Sequence, residues 1–160
     1  MSSIPWEWAD LFKLLLASAL GFIIGFERQA LHKPAGITTI TIVTLSSALL
    51  MELSYRLSQL GASSVYDPAR LAAAVMTGIG FLGAGVILQA GGHVQGITTS
   101  AVIWLMAGVG LAIGAGYYVP ALAAVAIVLL SFWINPLTDK LVGWRSRMHD
   151  ADGSNRPEAK

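Results

Sequence analysis

The sequence predicts an all-α protein, a polytopic transmembrane bundle of about five spans. Three observations carry that reading. Of the 160 residues, 55% are hydrophobic and only 12% charged, about half the charged fraction of an average globular domain. So few polar side chains cannot cover a water-facing surface. The mean hydropathy is +0.66, and the apolar residues fall in runs near membrane length separated by short polar breaks. The charges gather at the ends of those runs, and a net charge of +1 excludes the basic footprint of a nucleic-acid binder. With no cysteine, disulfides, thiolate nucleophiles and zinc-thiolate sites are excluded as well. Five spans consume about 100 residues, so residues 1–136 read as one membrane domain, followed by a tail over 137–160.

The first span covers about residues 8–26. Trp6 and Trp8 suit an interfacial belt before it. Asp10 and Lys13 trim its uncharged part to Leu14 through Phe26, too short for about 30 Å of hydrocarbon, so Lys13 is expected to snorkel outward. The head lacks the basic start and cleavage site of a secretory signal and is expected to be retained. The second span, about residues 37–56, carries Thr38, Thr39, Thr41, Thr44, Ser46, Ser47 and Ser54, hydroxyls able to bond back to their own helix or across to a neighbour.

Asp67 at an N-cap with Pro68 behind it starts the third span, about residues 69–89. Its glycines Gly78, Gly80, Gly83 and Gly85 predict a helix either closely packed or locally unwound. The fourth span, about residues 97–116, follows the turn Gly91-Gly92-His93, and the fifth, about residues 118–134, stops at Asn135-Pro136.

Five spans place Lys13, Arg56 and Arg70 on one side and seven cations, Arg28, Lys33, Lys140, Arg145, Arg147, Arg156 and Lys160, on the other. The positive-inside bias then predicts N-out, C-in. In the tail Leu137, Leu141, Trp144 and Met148 alternate with Lys140, Arg145 and Arg147. This pattern suits an amphipathic helix on the cytoplasmic leaflet or a plain stop-transfer anchor. Beyond Asp150 the composition reads as disordered.

Ala17, Gly21 and Gly25 share one face of the first span, and Gly110 and Gly114 repeat the spacing in the fourth. Such faces let helices approach closely, within a monomer or across a homodimer. A homodimer closed on the Gly21 and Gly25 stripe is the expectation. Charges at membrane depth are the other candidates: Glu27, Arg28, Glu52, Asp67 and Arg70. Glu52 and Arg56 have the spacing of a helical ion pair. Glu27 opposes the helix dipole and needs a partner. Asp67 is a cap or an ionic partner of Arg70, three positions on. His32, His93 and His149 have no nucleophile at useful spacing, and Gly78-Ile79-Gly80-Phe81-Leu82-Gly83 matches a dinucleotide fingerprint by letter only. No enzyme activity and no cofactor is expected.

Several stretches together resemble the MgtC/SapB membrane proteins: Gly21 to Arg28 (GFIIGFER), Lys33-Pro34-Ala35-Gly36, Asp67 to Arg70 (DPAR), Gly78 to Leu88 (GIGFLGAGVIL), and Gly96-Ile97-Thr98-Thr99 with Trp104. The resemblance implies a bacterial inner-membrane protein of about five spans, similar to proteins tied to growth in low magnesium and to virulence. By that resemblance it regulates other membrane machinery, the F-type ATP synthase among the implied partners. The residues carried over are Glu27, Arg28, Asp67, Arg70, Gly78, Gly80, Gly83 and Gly85. The chain departs from the family at Thr38-Thr39-Ile40-Thr41, where members often have Arg-Thr-His-Thr, and at Gln95, where they have lysine. Its length matches the short form without a soluble C-terminal domain.

Two functions compete: an adaptor or regulator acting through other membrane proteins, and a small dimeric channel or transporter for Mg2+ or another cation. The second would use Glu27, Asp67 and the hydroxyls of the second span. Magnesium binds to one or two carboxylates and sheds water reluctantly. The expected topology sets Glu27 and Asp67 on opposite membrane faces, so the regulator is preferred and the metal ligands stay unknown.

Overall fold

The structure, a computed structural model, describes residues 7–60, 67–90 and 93–134. Five helices run through them: α1 (Trp8–Ala30), α2 (Ile37–Leu60), α3 (Pro68–Val86), α4 (Ile97–Gly114) and α5 (Tyr118–Ile134). The first four are long and apolar enough to cross a membrane, and α5 is a shorter apolar helix. The tail from residue 137 and the expectations attached to it lie outside the described residues.

Lipid is as apolar as leucine, so no hydrophobic force drives these helices together, and close packing and hydrogen bonding must do so instead. The chain achieves this by notching two helices onto a third. A Cβ at Gly21 would sit 2.8 Å from Thr41 Cα, and one at Gly25 2.6 Å from Ile37 Cα, so α1 lies directly on the α2 backbone. On the other side, a Cβ at Gly110 would be 2.2 Å from the Thr44 carbonyl and one at Gly114 2.4 Å from that of Ala48. Helix α2 is therefore gripped by glycine faces of α1 and α4. The expected dimer seam on Gly21 and Gly25 is corrected here, because that face is consumed within the chain.

Ile24, Ile40, Ile103, Met106 and Ile113 fill the interior between these helices, together with Thr44 and Ser47. Thr44 donates its hydroxyl to the Ile40 carbonyl at 2.9 Å, the back-bonding that lets a hydroxyl sit dry inside a membrane helix. Outward, Phe12, Leu15, Phe22 and Phe26 of α1 are more than half exposed, a surface suited to acyl chains.

Helix α3 differs from its reading at two points. It ends at Val86, three residues before the expected boundary, because Ile87 is extended (φ −81°, ψ 112°). The chain then forms strand β1 (Leu88–Ala90), which pairs antiparallel with β2 (His93–Gln95) in the register Leu88 with Gln95. Gly96 closes this ladder in the left-handed region (φ +88°), where a Cβ would stand 2.2 Å from the Val86 carbonyl. Only glycine passes so close. The glycine-rich stretch of α3 is not unwound, since the helix is continuous from Pro68 to Val86. Nor is it packed throughout: Gly83 abuts Ser100 of α4, but among the described residues nothing lies within 4 Å of a Cβ added at Gly78, Gly80 or Gly85.

The chain separates into two compact units, Met1–Val125 and Ala126–Lys160. In the first, α5 begins after Gly116 (φ +84°), with Tyr118 edge-on to Phe12 at 6.3 Å between ring centroids and Ala121 and Val125 buried. In the second, the rest of α5 exposes Ile127, Leu130 and Trp133, and Ser131 donates to the Val128 carbonyl at 2.7 Å.

Candidate functional site

The most charged interior region lies where the start of α1 meets the end of α2. Asp10 and Lys13 are one turn apart on α1, and Glu52 and Arg56 one turn apart on α2, so each helix presents an acid and a base on one face. Antiparallel packing through the short α1–α2 connection brings the two pairs to the same depth. Lys13 Nζ donates to Glu52 Oε2 at 2.5 Å and lies 4.0 Å from Asp10 Oδ1. Arg56 donates Nη2 to Asp10 Oδ2 and approaches Glu52 Oε1 with Nε at 3.3 Å. The four charges form a ring of alternating sign, each touching two of the opposite sign.

The ring is dry for a set of charges, since Asp10 and Glu52 are each only 5% exposed. A lone charge there would carry a large desolvation cost, whereas a neutral ring lets each ion replace water with two counter-ions. Asp10 also accepts the Glu7 N–H at 2.7 Å, and an acid in the first turn complements the helix dipole. Beside the ring opens a cavity of about 270 Å3, also lined by Glu7, Tyr55, Gln59 and the end of α4 at Gly114 and Ala115.

Sequence reasoning found one edge of this ring, the Glu52 and Arg56 pair. It missed Asp10 and missed the role of Lys13. The outward snorkelling of Lys13 is corrected: its ammonium turns inward to Glu52. The available signal was two acid-base doublets at helical spacing, about equally far from the α1–α2 turn.

The other candidates stand apart from the ring. Glu27 finds its partner in the adjacent Arg28, whose Nη2 donates to Glu27 Oε1 at 2.6 Å and which is itself 3% exposed. Asp67 caps α3, accepting the Ala69 N–H at 2.8 Å. Asp67 and Arg70 are both exposed, and no ion pair joins them among the described residues, which corrects the expected pairing. A proline at the first helical position leaves that cap as the local requirement. Among the described residues no group of three or more histidine or acidic side chains is placed to hold a metal ion.

Fold and site together define a class: a polytopic α-helical membrane protein with a charge-balanced ring between its first two helices. Residues 14–141 match the sequence profile described as the MgtC family. The chain belongs to that family.

Among its relatives, an uncharacterized protein of Haemophilus influenzae is 41% identical over 84% of this chain and 59% of its own length. Protein SapB of Bacillus subtilis is 39% identical over 83% of the chain and 59% of its own length. Protein MgtC of Brucella abortus is 42% identical over 78% of the chain and 51% of its own length. The chain thus spans about half to three fifths of the length of the curated relatives it matches. No solved structure matches it significantly.

Proposed function

We propose that this protein is a bacterial inner-membrane regulator, associated with adaptation to low magnesium, that acts by binding another membrane protein. Family membership supports the setting, since similar proteins carry the names MgtC and SapB. The observation that carries the mode of action is the bare face of α3. Glycine inside a helix costs about 1 kcal/mol relative to alanine, and close packing ordinarily offsets that cost. Gly78 and Gly85, seven residues apart on one face, have nothing within 4 Å of an added Cβ among the described residues, and Phe81 between them is 83% exposed. A helix from another protein could approach this face to backbone distance.

The test is complementation of a deletion strain in low-magnesium medium. Gly78→Leu and Gly85→Leu should insert and fold normally yet fail to restore growth, because leucine blocks the approach at positions where an added Cβ meets nothing among the described residues. Full growth with both variants would overturn the reading. Saturable flux from purified protein in liposomes, abolished by Glu27→Gln, would establish an ion conductor instead.

The proposed orientation is N-out, C-in. In a cysteine-free background, Tyr117→Cys should react with an impermeant thiol reagent added to intact spheroplasts and Lys33→Cys should be protected. The reverse labelling would invert the topology.

A further inference from the structure

We propose that the cavity beside the charge ring is a binding site for a phosphate–ammonium zwitterion, the chemistry of an ethanolamine phospholipid headgroup. The ring fixes the ligand's charge. Asp10 and Glu52 offer carboxylate oxygens, and Lys13 and Arg56 offer donors already aimed at those oxygens. A bare anion entering would compete with both carboxylates for the cations and leave an excess negative charge. A bare cation would do the reverse, and an unbalanced charge beside groups this buried in the protein is costly. A zwitterion keeps the sum of the buried charges at zero, and the exposed Glu7 on the cavity wall adds a further acceptor for its ammonium. Its phosphate takes donors from Arg56 and Lys13 while its ammonium gives protons to Asp10 and Glu52, each contact charge-assisted.

Size and position agree with that chemistry. The cavity is about 270 Å3, room for about nine waters at about 30 Å3 each, hence for a group as small as phosphoethanolamine. Asp10 lies in the first turn of α1, Arg56 near the end of α2, and Gly114 is the last residue of α4. The site therefore sits within one to two turns of three helix ends, at the depth of lipid headgroups. Tyr55 and Gln59, on the cavity wall, supply uncharged hydrogen-bonding groups for the remaining phosphate oxygens. This inference stands apart from the α3 face and from the regulator reading.

The experiment is native mass spectrometry of the purified full chain in detergent, offered equal amounts of phosphatidylethanolamine, phosphatidylcholine and phosphatidylglycerol. Phosphatidylcholine keeps the phosphate but has no N–H, and phosphatidylglycerol has no cation. Wild type should retain phosphatidylethanolamine about tenfold better than either, the ratio that losing one charge-assisted contact predicts. Ala115→Phe fills the cavity from a wall residue outside the ring and should abolish the preference with an unchanged circular dichroism spectrum. Arg56→Gln should lower retention as well, and Ala115→Phe keeps the test decisive if that variant misfolds. Free glycerophosphoethanolamine, a phosphodiester with the same zero net charge as the lipid headgroup, serves as competitor: displacement of the lipid supports the site with a soluble ligand, and failure to displace it supports the site with the lipid as source. Equal retention of the three lipids, or a preference unchanged by Ala115→Phe, overturns the proposal.

Discussion

The α1–α2–α4 contact and helix α3 are built from the same small residues, and the residues act differently in each. At Gly21, Gly25, Gly110 and Gly114 a single added carbon would stand 2.2–2.8 Å from backbone of α2, whereas at Gly78, Gly80 and Gly85 it would meet nothing within 4 Å among the described residues. In the first region glycine shortens the distance between helices, and the gain in dispersion contacts outweighs its conformational cost. At these three positions of α3 the same cost is carried with no return from the described residues. A small-residue spacing read from sequence therefore reports a capacity for close approach, and the neighbour that uses it is set by how the chain folds back on itself.

The electrostatics divide in a parallel way. The packed region holds a four-membered ring of charges, while Asp67 and Arg70 at the start of α3 stay exposed and unpaired with each other. The largest expected effect follows. Glu52→Ala removes one of the ring's two acids from beside Lys13 and Arg56, and breaking a buried pair this way costs about 3–5 kcal/mol. Unfolding in mixed micelles should show a loss near the lower figure, since the two cations are 18% and 14% exposed. A loss too small to measure would mean that the ring does not hold α1 to α2.

Next in size is Gly110→Ala, whose methyl meets the Thr44 carbonyl and should force the helices apart at about 1–3 kcal/mol. The same measurement checks it, and an unchanged midpoint would break the contrast between the two glycine sets. For α3 the effects are smaller. Asp67→Ala should lose about 1 kcal/mol, and Asp67→Asn only a few tenths, because asparagine caps as well as aspartate. Asparagine should also keep full activity in the low-magnesium growth assay, and loss of growth there would restore an ionic role. Smallest of all, Gly78→Ala should leave stability unchanged or raise it by about 0.5 kcal/mol. A clear destabilisation by this one methyl would show that α3 is packed against something the chain itself supplies.

Much of this protein follows from one-dimensional physics. Apolar runs of membrane length can satisfy their backbone in lipid only as helices or closed barrels, and their lengths here favour helices. Asp67-Pro68 set the start of α3 because a side-chain acceptor followed by an imino acid suits a helix N-terminus whatever surrounds it. The ion pair of Glu52 with Arg56 was legible for the same reason, since its partners lie within one turn. The end of α3 was not, because it depends on a strand ladder and on how closely Gly96 passes Val86. Nor was the rest of the ring: Asp10 with Arg56 and Lys13 with Glu52 are contacts between residues far apart in the chain. Tertiary structure alone decided which charges face one another and which glycines are filled, because both depend on the depth and rotation of whole helices, which local sequence does not encode.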